Sequence, residues 1–212
     1  MDLKSCRFCN IQNGLYTYSN IDRPFAYTDD YYAIASIGPL VEGWTLIIPK
    51  KHQLSMKDCY SDIGFLSFTQ EIATHIEQNF GKLIAFEHGA NIENSSTACG
   101  TDHAHLHLVP FASLVPKLEI SGLSWRACNA SEIADISCGN EYLFYSDLHL
   151  ENCGSMLNGF IHTLSEPISQ YFRKLIADIQ DSLSTADYKG YPRLEAATST
   201  REILANAVGS AI

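Results

Sequence analysis

The sequence has no long apolar run, no signal-peptide pattern and no even number of cysteines. No stretch of its 212 residues approaches the roughly 18 to 20 consecutive apolar residues that a membrane-spanning helix needs. Residues 1–6 do not form the apolar core of a signal peptide. The seven cysteines, an odd number, fit a reducing compartment better than a disulfide framework. These absences argue against a membrane protein and predict a cytoplasmic one.

Positive charge is also scarce. The chain carries 14 Lys and Arg against 24 Asp and Glu, a formal net charge of -10, and its basic residues are scattered. A protein that binds a nucleic acid polymer needs a local basic patch, so the sequence argues against such a partner. A small phosphorylated ligand stays compatible with the composition, because one pocket can be positive on an acidic protein. Hydrophobic residues make up 46% of the chain, enough to bury a core.

Apolar periodicity predicts several strands and one long helix in the first half of the chain. The four predicted strands, rich in apolar and aromatic residues, are 32–37, 44–48, 83–86 and 103–109. Residues 61–80 predict an amphipathic helix, with Ser61 or Asp62 as its N-cap and Gly81 as its stop. Successive strands without alternating helices favour an antiparallel sheet and an α+β fold class.

The second half of the chain has weaker patterns. Residues 141–145 predict a strand, and residues 166–182 predict a helix with Ser165 as its N-cap. A second helix is predicted over residues 199–208. We therefore expect one domain over residues 1–112 and a helical C-terminal extension over residues 113–212. This extension is expected to pack on the same domain or on a dimer.

The segment 103–109 is the most informative, because three histidines alternate in it with apolar residues. In a strand, alternate side chains share a face, so His103, His105 and His107 would line one face about 6.6 Å apart. A neutral imidazole is nucleophilic near pH 7, and its attack on phosphorus would give a phosphohistidine-type intermediate. Neighbouring imidazoles could hydrogen-bond the phosphoryl oxygens or protonate the leaving group. The alternatives are a chance run of histidines and a metal-binding surface strand.

Three segments, in order, resemble the histidine triad (HIT) superfamily. Residues 103–109 fit its motif of three histidines alternating with apolar residues, and residues 43–52 resemble its strand ending in Ile-Pro-Lys-x-His. Residues 6–11 resemble the N-terminal cysteine pair of zinc-bearing members. The resemblance covers roughly residues 6–112. It implies a HIT-like α+β fold, with a central antiparallel sheet flanked by helices and usually paired into a homodimer.

The resemblance also implies chemistry at the α-phosphate of a nucleotide. His105 would be the nucleophile that becomes nucleotidylated, and His107 would contact the phosphate and assist. Members hydrolyse dinucleoside polyphosphates or nucleoside phosphoramidates, whereas relatives transfer nucleotides to phosphate or to sugar phosphates. A nucleotide phosphohydrolase is therefore the leading interpretation. A nucleotidyltransferase or phosphorylase is the second, and a non-catalytic nucleotide-binding or metal-binding module is the third.

A structural zinc ion is implied by the same resemblance. In zinc-bearing relatives the ligands correspond to Cys6, Cys9, His52 and His103, and all four are present here. A closed set of two cysteines and two histidines is typical of a structural zinc site rather than a catalytic one. The alternative is a coincidental pair of cysteines.

Contacts with the substrate are less well predicted. Ser36 stands where family members commonly carry an Asp that holds the ribose hydroxyls. Thr101 could supply a hydroxyl group to the phosphate, and Arg173 in the C-terminal extension could reach it. The alternative for Arg173 is a place at the rim of a helix that packs on the sheet or across the dimer. His88 could join the pocket or lie in a loop, and the loop is the favoured interpretation.

Overall fold

The computed structural model describes residues 6–148 and 157–209. The strands within these ranges are Ala26–Tyr27 (β1), Tyr31–Ala35 (β2), Thr45–Pro49 (β3), Leu83–Gly89 (β4), Leu106–Pro110 (β5), Arg126–Asn129 (β6), Tyr142–Asp147 (β7) and Asn158–Thr163 (β8). They form one antiparallel sheet in the order β1-β2-β3-β5-β4-β7-β8-β6. The antiparallel sheet and α+β class predicted from the sequence are confirmed.

Helices cover both faces of this sheet. The α-helices in the described ranges are Arg7–Gln12 (α1), Ile63–Phe80 (α2), Val115–Glu119 (α3), Ile133–Ser137 (α4), Tyr171–Ile179 (α5) and Leu194–Gly209 (α6). Side chains of α2 and α6 share one hydrophobic core with one face of the sheet. Side chains of α1, α3 and α5 share a second core with the opposite face. None of these described helices is long and apolar enough to cross a membrane.

The predicted central helix is confirmed as α2. Asp62 is its N-cap, and the carboxylate accepts a hydrogen bond from the Gly64 amide at 2.9 Å. Gly81 ends the helix with a φ of +93°, a conformation that favours glycine. The apolar stripe of α2, including Phe65 and Ile72, lies in the core below the sheet. The helix thus forms where local periodicity and both end signals agree.

The triad strand begins later than predicted. β5 starts at Leu106, so His103 and His105 precede the paired strand instead of lying within it. The Ala104 amide donates its hydrogen bond to the Gln53 carbonyl oxygen, in the loop after β3, at 2.6 Å. The predicted alternation still holds, because Ala104 and Leu106 are buried in the core that contains α2.

The helix α5 also begins later than predicted, at Tyr171 instead of residue 166, and Ser165 is not its N-cap. The Ile168 amide donates to Thr97 Oγ1, and the Gln170 amide donates to Cys99 Sγ. These long-range bonds hold the backbone before α5 out of a helix. The last helix, α6, conversely begins five residues earlier than predicted, at Leu194 instead of residue 199.

The sheet continues beyond the first half of the chain, because β7 pairs with β4 along Ile84–Gly89. The strand predicted at residues 141–145 is part of β7, whereas β6 and β8 were not predicted. Outward from the centre of the sheet, β4, β5 and β3 on one side match β7, β8 and β6 on the other. The two groups are β3, β4 and β5 on one side and β6, β7 and β8 on the other. In each group, the strand that is second in the sequence lies nearest the centre, the third lies next to it, and the first lies outermost. A division of the chain at residue 112 stays a prediction.

Candidate functional site

A cavity opens on the sheet face that carries α1 and α5. The sequence-predicted catalytic and substrate-binding residues that line it are His105, His107, Ser36, Thr101 and Arg173. Ser36 directly follows β2, Thr101 and His105 lie in the segment before β5, His107 is in β5, and Arg173 is in α5. The fold therefore brings together residues that are up to 137 positions apart in the sequence.

His105 is held as a neutral imidazole. Its Nδ1 lies 2.8 Å from the His103 carbonyl oxygen, which can only accept a hydrogen bond, so Nδ1 carries the proton. The pKa of His105 is lowered to about 4, chiefly by burial and also by the positive charge of Arg7, although the hydrogen bond with the His103 carbonyl oxygen opposes the shift. Phe8 of α1 packs edge-on against the ring at 5.3 Å. His105 therefore presents an unprotonated Nε2, which is the nucleophilic form of the side chain.

His107 lies next to His105, with 4.7 Å between the ring centroids. Its ring is stacked on Phe86 of β4, with the centroids 4.5 Å apart. Trp44, just before β3, donates from Nε1 to His107 Nδ1 at 2.9 Å. Burial holds the pKa of His107 well below its usual value, and the neighbouring imidazoles and Arg173 act in the same direction. The side chain is consequently neutral and fixed in orientation.

His88 is a cavity residue rather than the loop residue expected from the sequence. It lies in β4, two residues after Phe86, and therefore on the same face of the sheet as Phe86 and His107. Its Nε2 is buried and has no hydrogen-bond partner in the described part of the chain. Burial lowers its pKa to about 3. The two-residue period that starts at Phe86 was the sequence signal that could have placed it.

The cavity suits an anionic ligand. Its charged lining residues are Arg7 and Arg173, and no Asp or Glu lines it within the described chain. This lining contrasts with the formal net charge of -10 on the whole chain. The Arg7 guanidinium also pairs with the buried Asp22 at 2.5 Å. Arg173 donates from Nε and Nη2 to the carbonyl oxygens of Ala186 and Gly38, so these nitrogens are engaged by the protein.

The polar groups at the mouth of the cavity are held by the C-terminal residues. Tyr188 donates its hydroxyl to the Cys99 carbonyl oxygen at 3.0 Å, and both residues line the cavity. The Gly38 amide donates to the Pro192 carbonyl oxygen at 2.7 Å. The Ser36 hydroxyl is buried and makes only a long contact, 3.4 Å, with the Ile37 carbonyl oxygen. Tyr188 and Cys99 were not predicted, because no local pattern reports such distant contacts.

The four predicted metal ligands also converge. Donor atoms of Cys6, Cys9, His52 and His103 lie within 4.8 Å of one another. Nδ1 of His52 and Nδ1 of His103 are 3.2 Å apart, and the measured sulfur–nitrogen distances are 3.3, 3.4 and 3.6 Å. A tetrahedral zinc site has edges of roughly 3.3 Å between nitrogens and 3.6 Å between sulfur and nitrogen. The cluster therefore has the donor types and spacing to hold a metal ion.

A hydrogen bond outside the cluster orients one of its ligands. His103 Nε2 lies 2.8 Å from the Pro49 carbonyl oxygen at the end of β3. The carbonyl oxygen accepts the Nε2 proton, so Nδ1 of His103 keeps its lone pair toward the cluster. Partners of this kind commonly fix the tautomer of a metal-binding histidine. The cluster thus connects α1 to the segment that carries His105.

The HIT domain family model matches residues 19–113 of this chain. An uncharacterised HIT-like protein of Methanocaldococcus jannaschii is 28% identical over 108 residues, which cover 50% of this chain and 78% of that protein. A Hit-like protein involved in cell-cycle regulation from Bartonella henselae is similar in structure, with 23% identity and a TM-score of 0.39 over 50% of this chain and 80% of that chain. A HIT family hydrolase from Clostridium thermocellum has 23% identity and a TM-score of 0.37 over 53% of this chain and 95% of that chain. The matched segment contains the triad, and residues 19–113 of the chain form a HIT domain.

Proposed function

We propose that the protein is a nucleotide phosphohydrolase that acts at the α-phosphate of a nucleotide conjugate. The conjugate is a dinucleoside polyphosphate or a nucleoside phosphoramidate. The hydrogen bond from His105 Nδ1 to the His103 carbonyl oxygen carries the proposal. It leaves Nε2 of His105 unprotonated beside a cavity whose charged lining residues are arginines.

The reaction proceeds in two displacements. In the first, His105 Nε2 bonds to the α-phosphorus, and the P–O or P–N bond to the leaving group breaks with its electron pair. The leaving group takes up a proton as it departs, and the nucleotide stays bonded to His105. In the second, water attacks the phosphorus and gives up a proton, the bond to His105 breaks, and a nucleoside monophosphate is released.

Negative charge on the phosphoryl group is stabilised by the groups around His105. His107 contacts a phosphoryl oxygen in this proposal, because its ring lies beside that of His105. Ser36 and Thr101 are the proposed hydroxyl contacts. Arg173 contributes through its positive charge, since Nε and Nη2 already donate to backbone carbonyl oxygens.

The mechanism is tested by replacing His105 with Ala and assaying both substrate classes. We expect turnover to fall by a factor of about 1,000 or more, because the covalent route is lost. A matched control is His75→Ala, since His75 lies on α2 and does not line the cavity. Mass spectrometry of quenched wild-type reactions should find the nucleotide on His105. Unchanged turnover in His105→Ala would refute the mechanism.

Product analysis separates the alternatives. A nucleotidyltransferase or phosphorylase would form a nucleotide sugar or a nucleoside diphosphate when sugar phosphate or inorganic phosphate is added. A hydrolase gives the nucleoside monophosphate both with and without added sugar phosphate or inorganic phosphate. A non-catalytic module would bind nucleotide but show neither turnover nor a covalent adduct.

We also propose that the metal held by the cluster is zinc and that its role is structural. Four protein ligands complete a tetrahedron and leave no open position for a substrate. The bound ion would tie α1 to the backbone around His103, whose carbonyl oxygen orients His105. In this proposal the ion affects catalysis only by holding the backbone that positions His105.

Elemental analysis tests the zinc proposal. We expect about one zinc per chain, the stoichiometry of a single closed site. The double variant Cys6→Ala, Cys9→Ala should lose the metal, whereas Cys138→Ala should keep it, because Cys138 is exposed and outside the cluster. Equal zinc content in the two variants would contradict the assignment.

A further inference from the structure

The indole of Trp44 makes one directed contact with the triad. Its Nε1 lies 2.9 Å from Nδ1 of His107, in a side chain that is only 1% exposed. An indole nitrogen can donate a hydrogen bond but cannot accept one. Nδ1 of His107 must therefore be the acceptor, and its ring proton must lie on Nε2.

We propose that Trp44 is a positioning residue that fixes His107 as the Nε2–H tautomer, so that His107 serves as a hydrogen-bond donor to the phosphoryl group and not as the proton source for the leaving group. A neutral imidazole whose Nδ1 is occupied as an acceptor has one proton, on Nε2. Release of that proton would leave an imidazolate anion beside a phosphate. This assignment of His107 rests on the proposed function, whereas the tautomer itself does not.

The surroundings of Trp44 hold the indole in place. The guanidinium of Arg173, from α5, lies over the indole ring at 5.2 Å. Phe86 packs edge-on against the same ring at 5.8 Å. Arg173 is itself fixed by its bonds to the Ala186 and Gly38 carbonyl oxygens. The C-terminal part of the chain thus supports the triad through Trp44.

The groups that face His107 also disfavour a second proton. They are His105 just before β5, His88 on β4 and Arg173 on α5. Trp44, just before β3, donates to Nδ1 and so blocks it, and no carboxylate lines the cavity in the described chain. A doubly protonated His107 would have to break the bond to Trp44 and sit near a guanidinium. The leaving group must then receive its proton from another source, such as water in the cavity.

NMR of the uniformly ¹⁵N-labelled full chain, without substrate, tests the tautomer directly. Resonances of His107 are assigned by comparison with His107→Gln. We expect a protonated Nε2, an unprotonated Nδ1 and a scalar coupling across the hydrogen bond between Trp44 Nε1 and His107 Nδ1. A proton on Nδ1, or two ring protons at pH 7, would overturn the proposal whether or not the protein is an enzyme.

Two phenylalanine variants test the positioning role, because the sequence has two tryptophans. In Trp44→Phe we expect the coupling to vanish and His107 to take up a second proton at a higher pH than in the wild type. Trp125→Phe is the control, since Trp125 donates to Ser121 and lies outside the cavity. Unchanged His107 resonances in Trp44→Phe would overturn the proposal.

Kinetics connect the tautomer to the reaction. In Trp44→Phe the His107 side chain remains, but its Nε2–H is no longer fixed toward the phosphoryl group. We therefore expect kcat to fall about tenfold with KM nearly unchanged, whereas removal of a hydrogen-bond donor altogether costs about 100-fold or more. An unchanged kcat alongside the expected NMR change would refute the role in catalysis while leaving the tautomer intact. If the wild type shows no turnover, the proposed function and the role of His107 in catalysis are refuted. The NMR result then still decides whether Trp44 fixes the tautomer of His107.

Discussion

Among single residues, Glu87 is a buried ionisable group on the α2 side of the sheet. Its carboxylate is 1% exposed and accepts hydrogen bonds from the Met56 amide at 2.6 Å and from the hydroxyls of Tyr60 and Tyr142 at 2.7 Å. Burial raises its pKa from 4.5 to about 7, although these donors oppose the shift. The protonated form is thus favoured by folding.

The stability of the protein should therefore depend on pH through Glu87. Because the folded state binds this proton more tightly, the stabilisation is fully present below about pH 4.5 and is lost as the pH rises through 7. We expect the free energy of unfolding of the wild type, relative to Glu87→Gln, to fall by about 3 kcal/mol across that window. Urea unfolding at a series of pH values measures it. Glu71→Gln, on the exposed face of α2, is the control. If the free energies of unfolding of Glu87→Gln and the wild type change with pH in parallel, the prediction is contradicted.

His88 should show a conflict between stability and binding. Its buried Nε2 has no partner in the described chain, and an unsatisfied buried polar atom is destabilising. We expect His88→Leu to raise the free energy of unfolding by about 1 kcal/mol and to raise KM about fivefold, because an imidazole that faces the ligand is lost. Thermal unfolding and steady-state kinetics provide the two values. A less stable variant with an unchanged KM would show that the ring only fills space.

At the scale of secondary-structure elements, the sequence was sufficient to predict an element whose start and stop residues lie at its own ends. The helix α2 was predicted with both its N-cap, Asp62, and its stop, Gly81. The starts of β5 and α5 were misplaced, because the deciding bonds join Ala104 to Gln53 and Ile168 to Thr97. Strands β6 and β8 were missed, since they mix polar and apolar residues and depend on pairing with β7 and with each other.

Gly159 in β8 illustrates this dependence on pairing. A Cβ at this position would collide with the carbonyl oxygen of Tyr145 on the neighbouring strand β7. We expect Gly159→Ala to lower the free energy of unfolding by about 3 kcal/mol, because backbone cannot move aside as a flexible side chain can. Gly209→Ala, at the open end of α6, should change it by less than about 0.5 kcal/mol. Similar unfolding curves for the two variants would refute this account of the β7–β8 contact.

The candidate site divides in the same way. The triad and the cluster of Cys6, Cys9, His52 and His103 could be predicted because short motifs place them in the sequence. Trp44 and Tyr188 could not, since their roles arise from contacts with His107 and Cys99 that no local pattern reports. The roles proposed for Ser36, Thr101 and Arg173 remain predictions.

At the scale of the whole molecule, the first half of the chain depends on the second. β7 pairs with β4 along Ile84–Gly89, and Phe172 of α5 packs on Phe86 with 4.8 Å between the ring centroids. We expect a chain truncated after residue 112 to be insoluble or to lack a cooperative unfolding transition, because it exposes an unpaired strand edge and an apolar face. Size-exclusion chromatography and thermal unfolding test this expectation. A stable, monomeric truncated protein would contradict it.

The predicted homodimer and the cytoplasmic location stay predictions. Since the outer edge of β4 is already paired with β7, a dimer formed by continuing the sheet would have to use an end strand. In the described chain these end strands are β1 and β6. Light scattering on the purified full chain measures the mass in solution.

The matching strand order on the two sides of the sheet has a consequence for stoichiometry. β5 carries His107 and follows directly on His105, whereas its counterpart β8 carries His162 alone. Two groups of strands with the same order therefore differ in chemistry: one bears the imidazoles that are proposed to react, and the other supports it through the pairing of β7 with β4. Under the proposed function, such a molecule has one reaction centre per polypeptide, and the strands β6, β7 and β8 contribute to it only by supporting the sheet that carries His107.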